Sequence, residues 1–264
     1  MERNWVIDFF LKHGDIFLKI MNERWKTAEE EAKAIARVFK KHGLENGKIL
    51  DLMCGNGRIA INLARLDYEV VGVDISPLYI EDARRRAKEH GVEEKVKFLV
   101  GDVRNLKSIL KPFGEQFFDA VINVWTSIGF FDEKTDEAIF TNARKYSKDD
   151  ALLVIAGCAS RDQLLRIFSR RIWEEIGDII ILHDNELDCF QSRLKSTWYV
   201  YEKSLDKKLS FIGKLTLNLR LYSVHEILSI LNRAGWSLVE AYGNIINMTP
   251  FDIYKPLNLV LKAI

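Results

Sequence analysis

Apolar residues recur along this chain in two alternating rhythms. From residue 46 onward, short apolar runs predict strands: KILDLM, EVVGVDI, VKFLVGD, FFDAVINVW and ALLVIAG. Between them lie stretches with helical spacing. RIAINLARL carries apolar side chains at 59, 63 and 66. SPLYIEDARRRAKEHG opens with Ser76 as N-cap and Pro77 at the first helical position, and stops at Gly91. EKTDEAIFTNARKYS predicts the helix between the fourth and fifth strands. Apolar strands alternating with helices predict a parallel sheet covered on both faces. Residues 1–45 read as helices. In TAEEEAKAIARVFKKHG, Thr27 is the expected N-cap, Glu30 its capping-box partner and Gly43 the stop.

The rhythm changes after Gly157. Residues 160–176 read as helix. IIILHD, RLKSTWYVYEKS and KLSFIGKLTLNLRLY read as three strands of an inserted antiparallel meander. From Phe211 to Leu221, odd positions are apolar or Gly213, while Ile212, Lys214, Thr216, Asn218 and Arg220 hold even ones. That period of two gives the strand one apolar and one largely polar face. The polar face is expected either in water or, with Tyr199 or Tyr201, as the roof of a ligand pocket. Arg220 would then hold an acidic group, because its planar fork suits a carboxylate. VHEILSILNRAG, WSLVEAYG and LNLVLKAI return to helix and strand. A single α/β domain is therefore expected: a helical cap over 1–45, a core over 46–157 and 223–264, and an inserted cap or lid over 158–222.

Composition narrows the class. A length of 264 residues with 48% hydrophobic content excludes a disordered chain. No apolar run reaches the ~18 residues of a membrane span. The start is acidic and aromatic without a signal-cleavage pattern, and Cys54, Cys158 and Cys189 lack metal spacing. A cytoplasmic protein with reduced thiols, no bound metal and no membrane partner is expected. Abundant charge with three Gln points to a thermophilic source. A net charge of +1 leaves no broad basic footprint, so Arg84-Arg85-Arg86 and Arg170-Arg171 read as solvated helix faces rather than a nucleic-acid surface. His13, His42, His90 and His225 are scattered. His183, beside Asp184 in the meander, is the one histidine placed to meet a ligand.

The chemistry concentrates in ILDLMCGNGRIAINLA, residues 49–64, where a strand turns through two glycines into a helix. A triphosphate would need GxxxxGK[ST], which is absent. A dinucleotide is a competitor: Gly55 to Ala60 satisfies GxGxxA, and Asp74 stands where a ribose-binding acid belongs. S-adenosylmethionine fits the carboxylates better. It offers an ammonium, a ribose diol and an adenine amine, and no phosphate. Asp51 can face the ammonium, Asp74 the two ribose hydroxyls, and Asp102 the adenine amine, each at the carboxyl end of a parallel strand. Gly55 and Gly57 would let the backbone approach the methionine moiety.

With these residues, the chain resembles the class I S-adenosylmethionine-dependent methyltransferases. DLMCGNGR resembles that family's first motif, VVGVDIS its second, and VKFLVGDVRNL its adenine-side motif. FFDAVINVWTSIGFF resembles the fourth-strand segment of a small-molecule methyltransferase subgroup. The resemblance covers about residues 20–157, and 220–264 more loosely. It implies a Rossmann-like, doubly wound, mainly parallel sheet with S-adenosylmethionine as cofactor. The implied cofactor residues are Asp51, Cys54, Gly55, Asn56, Gly57, Asp74, Ile75, Asp102, Val103, Asn123 and Trp125. Asn123 would accept from the ammonium through its amide oxygen, and Trp125 would pack on adenine or exclude water. Thr126 and Ser127 border the methyl group or cap the next helix. Met53 stands where the family often has Gly, which argues that this position needs no positive φ. Tyr254-Lys255-Pro256 replaces a Ser-x-Arg element common in the subgroup.

Displacement at a sulfonium needs alignment rather than a catalytic triad. INVWTS lacks both the nucleophilic Cys and the Pro-Pro-aromatic stretch of nucleobase methylation. The expected activity is methyl transfer to a small-molecule acceptor. RNA or protein methylation and a non-catalytic cofactor-binding module are the alternatives. His183, Tyr199, Tyr201 and Arg220 are the candidates on the acceptor side. Oligomeric state stays open, a homodimer included.

Overall fold

A computed structural model describes residues 5–125, 127–206 and 208–264. Three N-terminal helices come first: α1 (Trp5–Ile7), α2 (Gly14–Glu23) and α3 (Trp25–Lys41), with a π-helical turn over Asp8–Lys12. Then β1 (Lys48–Leu52), α4 (Arg58–Ala64), β2 (Glu69–Asp74), α5 (Pro77–Glu89) and β3 (Val96–Val100) alternate. They are followed by α6 (Leu106–Leu110), β4 (Phe118–Val124), α7 (Glu133–Lys145) and β5 (Ser147–Cys158). After α8 (Arg161–Ile167), strands β6 (Arg171–Ile176), β7 (Ile179–Asp188), β8 (Arg193–Lys203) and β9 (Leu209–Arg220) form a separate antiparallel sheet. The chain closes with α9 (Val224–Arg233), β10 (Trp236–Asn244), β11 (Thr249–Pro250) and β12 (Leu257–Ala263).

The main sheet runs β11-β10-β12-β5-β4-β1-β2-β3. Its members from β5 to β3 pair in parallel, and β12 lies antiparallel between β5 and β10. The strand order reverses between β1 and β4. Their carboxyl ends therefore open a crevice at the switch point, where open α/β sheets take ligands. Both faces are covered as the continuous apolar strands require. Ile49, Ile59 and Phe39 pack in one layer, and Leu50, Phe118, Phe140 and Trp236 in the other.

A third apolar cluster joins the N-terminal helices to the second sheet: Phe9, Ile16 and Ile20 meet Ile181, Val200, Leu215 and Leu217. This decides between the two readings of the insertion, in favour of a polar face turned to water and against a polar roof over the pocket. The insertion's apolar face, not its polar one, turns inward, because the helices below present an apolar stripe. Two expectations change. Residues 160–176 are not one helix: α8, capped by the Ser160 hydroxyl accepting from Gln163 N, ends at Ile167. RIWEEI then alternates as strand β6 against β7. Thr27 is not an N-cap. Helix α3 starts at Trp25, so Thr27 lies in its first turn with its hydroxyl on the Arg24 carbonyl and the Glu31 carboxylate. Gly43 does end that helix, at φ +85.

Candidate active site

The turn after β1 is wound through left-handed backbone at alternate positions: Met53 (φ 58), Gly55 (φ 55) and Gly57 (φ 75). Met53 thus adopts the positive φ that its side chain argued against, and the surrounding turn holds it there. The two glycines serve different ends. Gly55 lines the crevice, and a Cβ there would meet only the flexible Met21 Sδ, at 2.9 Å. Gly57 does not line the crevice. A Cβ there would lie 2.6 Å from the Phe98 ring and 3.0 Å from Ala83, so this glycine is required by packing of the turn on β3 and α5. Close approach to a ligand is the wrong reason for it.

The three carboxylates differ in environment. Asp51 is buried, and among the described residues no hydrogen bond reaches its carboxylate to offset that burial. Burial pushes its pKa up to about 8; Arg58 opposes that rise and Asp74 adds to it. Asp74 accepts from Gly55 N and Ser76 N, each at 2.9 Å, so it ties the turn to the start of α5. Burial raises it to about 6, and those backbone donors restrain the rise. Asp102 is gripped by the Arg104 guanidinium. Burial pushes its carboxyl up, but Arg104 outweighs that and leaves it below its ordinary value.

A crevice of about 850 Å³, counting its open mouth, brings together Asp51, Cys54, Gly55, Asn56, Asp74, Ile75, Asp102, Val103 and Trp125. Asn123 lies beneath it rather than on its wall. Its Nδ2 donates to the Leu52 carbonyl at 3.1 Å, and its Oδ1 is buried without a partner among the described residues. Ser127 lines the crevice, while Thr126 lies outside the described residues. The sequence reading missed Arg58, Met21, Phe17 and Tyr79, which also line it. Arg58 is buried and paired with Glu31 at 2.7 Å. The donor set fits an adenosine carrying an ammonium. A pyrophosphate at this turn would face Asp51, with Arg58 already committed to Glu31.

A family model described as a methyltransferase domain matches residues 44–197, more than half of the chain. The chain belongs to that methyltransferase family. Norajmaline N-methyltransferase of Rauvolfia serpentina is 31% identical over 36% of this chain and 31% of that protein. The chain spans about a third or less of the length of the first curated relatives it matches. Among solved structures, the CcbJ methyltransferase from Streptomyces caelestis superposes with TM-score 0.73 at 21% identity, covering 90% of this chain and 89% of that one. S-adenosylmethionine-bound CalS10, an amino pentose methyltransferase from Micromonospora echinaspora, gives 0.70 at 16% identity, covering 94% and 97%. These two likenesses are of fold. S-adenosylmethionine is the cofactor of the family and of this methyltransferase.

Beside the crevice, the protein has a second chamber of about 800 Å³, counting its mouth. Phe10, Phe17, Trp125 and Phe130 line both. Trp125 (φ 69) stacks on Phe17 with centroids 5.5 Å apart and carries the Arg24 guanidinium 5.1 Å from its ring centre. The inner face of the second sheet contributes Glu174, Ile181, Trp198, Leu217 and Leu219. Of the acceptor-side candidates, none lines this chamber. Tyr199 and Tyr201 point to the opposite face of the sheet, Tyr199 under Lys214 and Tyr201 against Phe211. His183 sits behind Glu174, 3.6 Å away, with its ring against Trp198. That imidazole holds the Glu174 carboxyl below its ordinary value, against burial. Glu174 was missed because its segment read as helix.

Arg220 is fully engaged elsewhere. Its guanidinium donates to the Ser192 and Leu221 carbonyls and to Glu226 Oε1 at 2.9 Å. Its role as an acceptor anchor is therefore corrected to a clamp between β9 and α9. Arg220→Ala should destabilise the protein by about 1–2 kcal/mol and leave S-adenosylhomocysteine affinity unchanged. Urea unfolding with the parent's midpoint would show the guanidinium to be unengaged. Its backbone has a second use: Arg220 N donates to the Gly129 carbonyl at 2.8 Å, and Asp136 accepts from Gly129 N and the Tyr222 hydroxyl. These bonds dock the loop after β4 onto the inserted sheet.

Proposed function

We propose that this methyltransferase acts on a small-molecule acceptor held in the aromatic chamber, between the N-terminal helical cap and an inserted lid over 158–222. One observation carries the proposal. The chamber shares Phe17 and Trp125 with the cofactor crevice and is walled by side chains from both flanking segments. Such a space suits a molecule of ligand size rather than a polymer. The amino pentose acceptor named for CalS10 supports the same class. The basic runs have carboxylate neighbours: Arg85 and Arg86 pair with Asp82, Arg85 also with Glu89, and Arg170 and Arg171, exposed at the start of β6 rather than on a helix, stand 3.7 and 3.8 Å from Asp184. That argues against an RNA-binding face. An open chamber also favours turnover over a purely cofactor-binding module.

Bound S-adenosylmethionine supplies a methyl group on a sulfonium, a good leaving group. In the proposed arrangement, Asp51 receives the ammonium, Asp74 the ribose hydroxyls, and Asp102 with Val103 the adenine edge. Asn123 Oδ1 supports the methionine end from below. Trp125 and Phe17 form the partition that aligns acceptor and methyl and excludes water. An acceptor atom held in line by Trp125 and Phe17 would take the methyl from the bound cofactor, with the thioether as leaving group and any acceptor proton passing to solvent.

Calorimetry should show S-adenosylhomocysteine binding and no NAD binding. Tritiated methyl should pass from S-adenosylmethionine to a low-molecular-weight metabolite fraction and not to total RNA. Label in RNA alone would overturn the acceptor class, and NAD binding without S-adenosylhomocysteine binding would overturn the site.

A further inference from the structure

The acceptor chamber has an uneven supply of polar groups. Among its described lining side chains, only Arg24 and Glu174 carry charge, and the rest are aromatic or aliphatic. Trp198, whose indole N–H could have served a ligand, donates it instead to Ser196 Oγ at 2.9 Å. Glu174 already faces two basic groups, Arg24 at 3.5 Å and His183 at 3.6 Å. Arg24 is short of acceptors. Its Nε is buried with no hydrogen-bond partner among the described residues, and its one carboxylate neighbour stands at the far limit of a hydrogen bond. The guanidinium is fixed over Trp125, on the partition between chamber and cofactor crevice. A second guanidinium, Arg58, lies 5.8 Å from the same ring. The unmatched capacity in this chamber is therefore a positively charged N–H donor next to aromatic faces.

We propose that the acceptor is a ring-bearing, largely apolar molecule with one anionic oxygen group, seated against the aromatic walls with that group on Arg24. This rests on the small-molecule reading above and adds the substrate class. A carboxylate or comparable oxyanion would take accessible N–H groups of the Arg24 guanidinium, in the two-point contact that the fork favours. The ring system would stack on Trp125 and Phe17 or meet Trp198 and Phe9 edge-on. A polyhydroxylated sugar fits poorly, because most of its hydroxyls would be buried against rings without partners. An aryl ammonium fits poorly because Arg24 would repel it.

The test uses the whole protein saturated with S-adenosylhomocysteine and three probes of one ring size: a hydroxynaphthoate, its methyl ester and a naphthylmethylamine. Calorimetry should show the carboxylate binding about tenfold or more tighter than the ester, with the amine weakest. Arg24→Gln should erase the difference between carboxylate and ester, and Arg24→Lys should keep part of it. Glu174→Gln, which removes the competing carboxylate, should tighten the hydroxynaphthoate further. Thermal melts matching the parent establish that each variant is folded; the three-probe ranking on the parent protein stands without them. Equal binding of carboxylate and ester, or preference for the amine, overturns the proposal. Failure of the parent to bind S-adenosylhomocysteine would instead strike the cofactor site, which separates the two readings.

Discussion

Cofactor affinity should climb as pH rises from about 5 to 7, by up to about tenfold per unit, and Asp51→Asn should flatten the climb. The cause is the state of Asp51 before binding. Burial holds its carboxyl at about 8 in the ligand-free crevice, so near neutrality it is mostly protonated. An ammonium beside it favours the carboxylate and lowers that pKa. Binding therefore expels a proton. A group whose pKa falls on binding strengthens binding as pH rises towards its free value, and the gain is lost as pH falls below it. Asp74, at about 6, adds to the slope at its acid end. Above about pH 8 the ligand's α-amino group loses its own proton, so affinity should peak there. Folding stability without ligand should run the other way. The native state holds the proton that the unfolded chain releases near pH 4, so the contribution from Asp51 is present at low pH and is lost as pH rises towards 8. At pH 7.5, Asp51→Asn should weaken S-adenosylhomocysteine by about 2 kcal/mol, roughly 30-fold, because it removes a charge-assisted bond. Calorimetry in phosphate and Tris, whose ionisation enthalpies differ, reports the released proton directly. Identical apparent enthalpies in both buffers would remove Asp51 from the ammonium role.

What the sequence made legible was the sheet and its ligand end. Runs such as VVGVDI are apolar on both faces, which only a covered parallel strand tolerates. An acidic residue at the end of the second and third runs, and one next to last in the first strand, mark the carboxyl ends, so Asp51, Asp74 and Asp102 reach one crevice by topology. The acceptor side was less legible because its walls meet across the whole chain. Period two in β9 says that its two faces differ. It does not say which one meets Phe9 and Ile20, whose apolar stripe lies some two hundred residues earlier. Charge was no guide for a related reason. Arg24 and Arg58 sit at helix starts with nothing in the sequence to single them out, and only packing turns them towards Trp125. Met53 shows a further gap: a side chain shifts the preference for φ, but the bonds around a turn can override it.

Asp74→Ala should have the largest effect of any single change in the crevice, because it would act on the fold and the cofactor together. In the native turn, Asp74 accepts Gly55 N at 2.9 Å with one oxygen and Ser76 N at 2.9 Å with the other. Neither donor has another acceptor among the described residues; Gly55 is in left-handed backbone and Ser76 is at the N-cap of α5. Alanine would leave two backbone N–H groups unpaired in a buried corner, at about 1–3 kcal/mol each before relaxation and water entry. A net loss of about 2–4 kcal/mol is expected in urea unfolding without cofactor. The same carboxylate is proposed to take the ribose hydroxyls, so S-adenosylhomocysteine should bind weaker by a further 1–3 kcal/mol, about 5- to 150-fold. Asp74→Asn separates the two effects. Its amide oxygen can keep one of the two backbone bonds, so stability should recover by about half. Its neutral amide makes weaker bonds to the diol, so affinity should stay low. If Asp74→Asn restored affinity along with stability, Asp74 would act on the cofactor only through the shape of the turn, and the ribose would have to be held by another group.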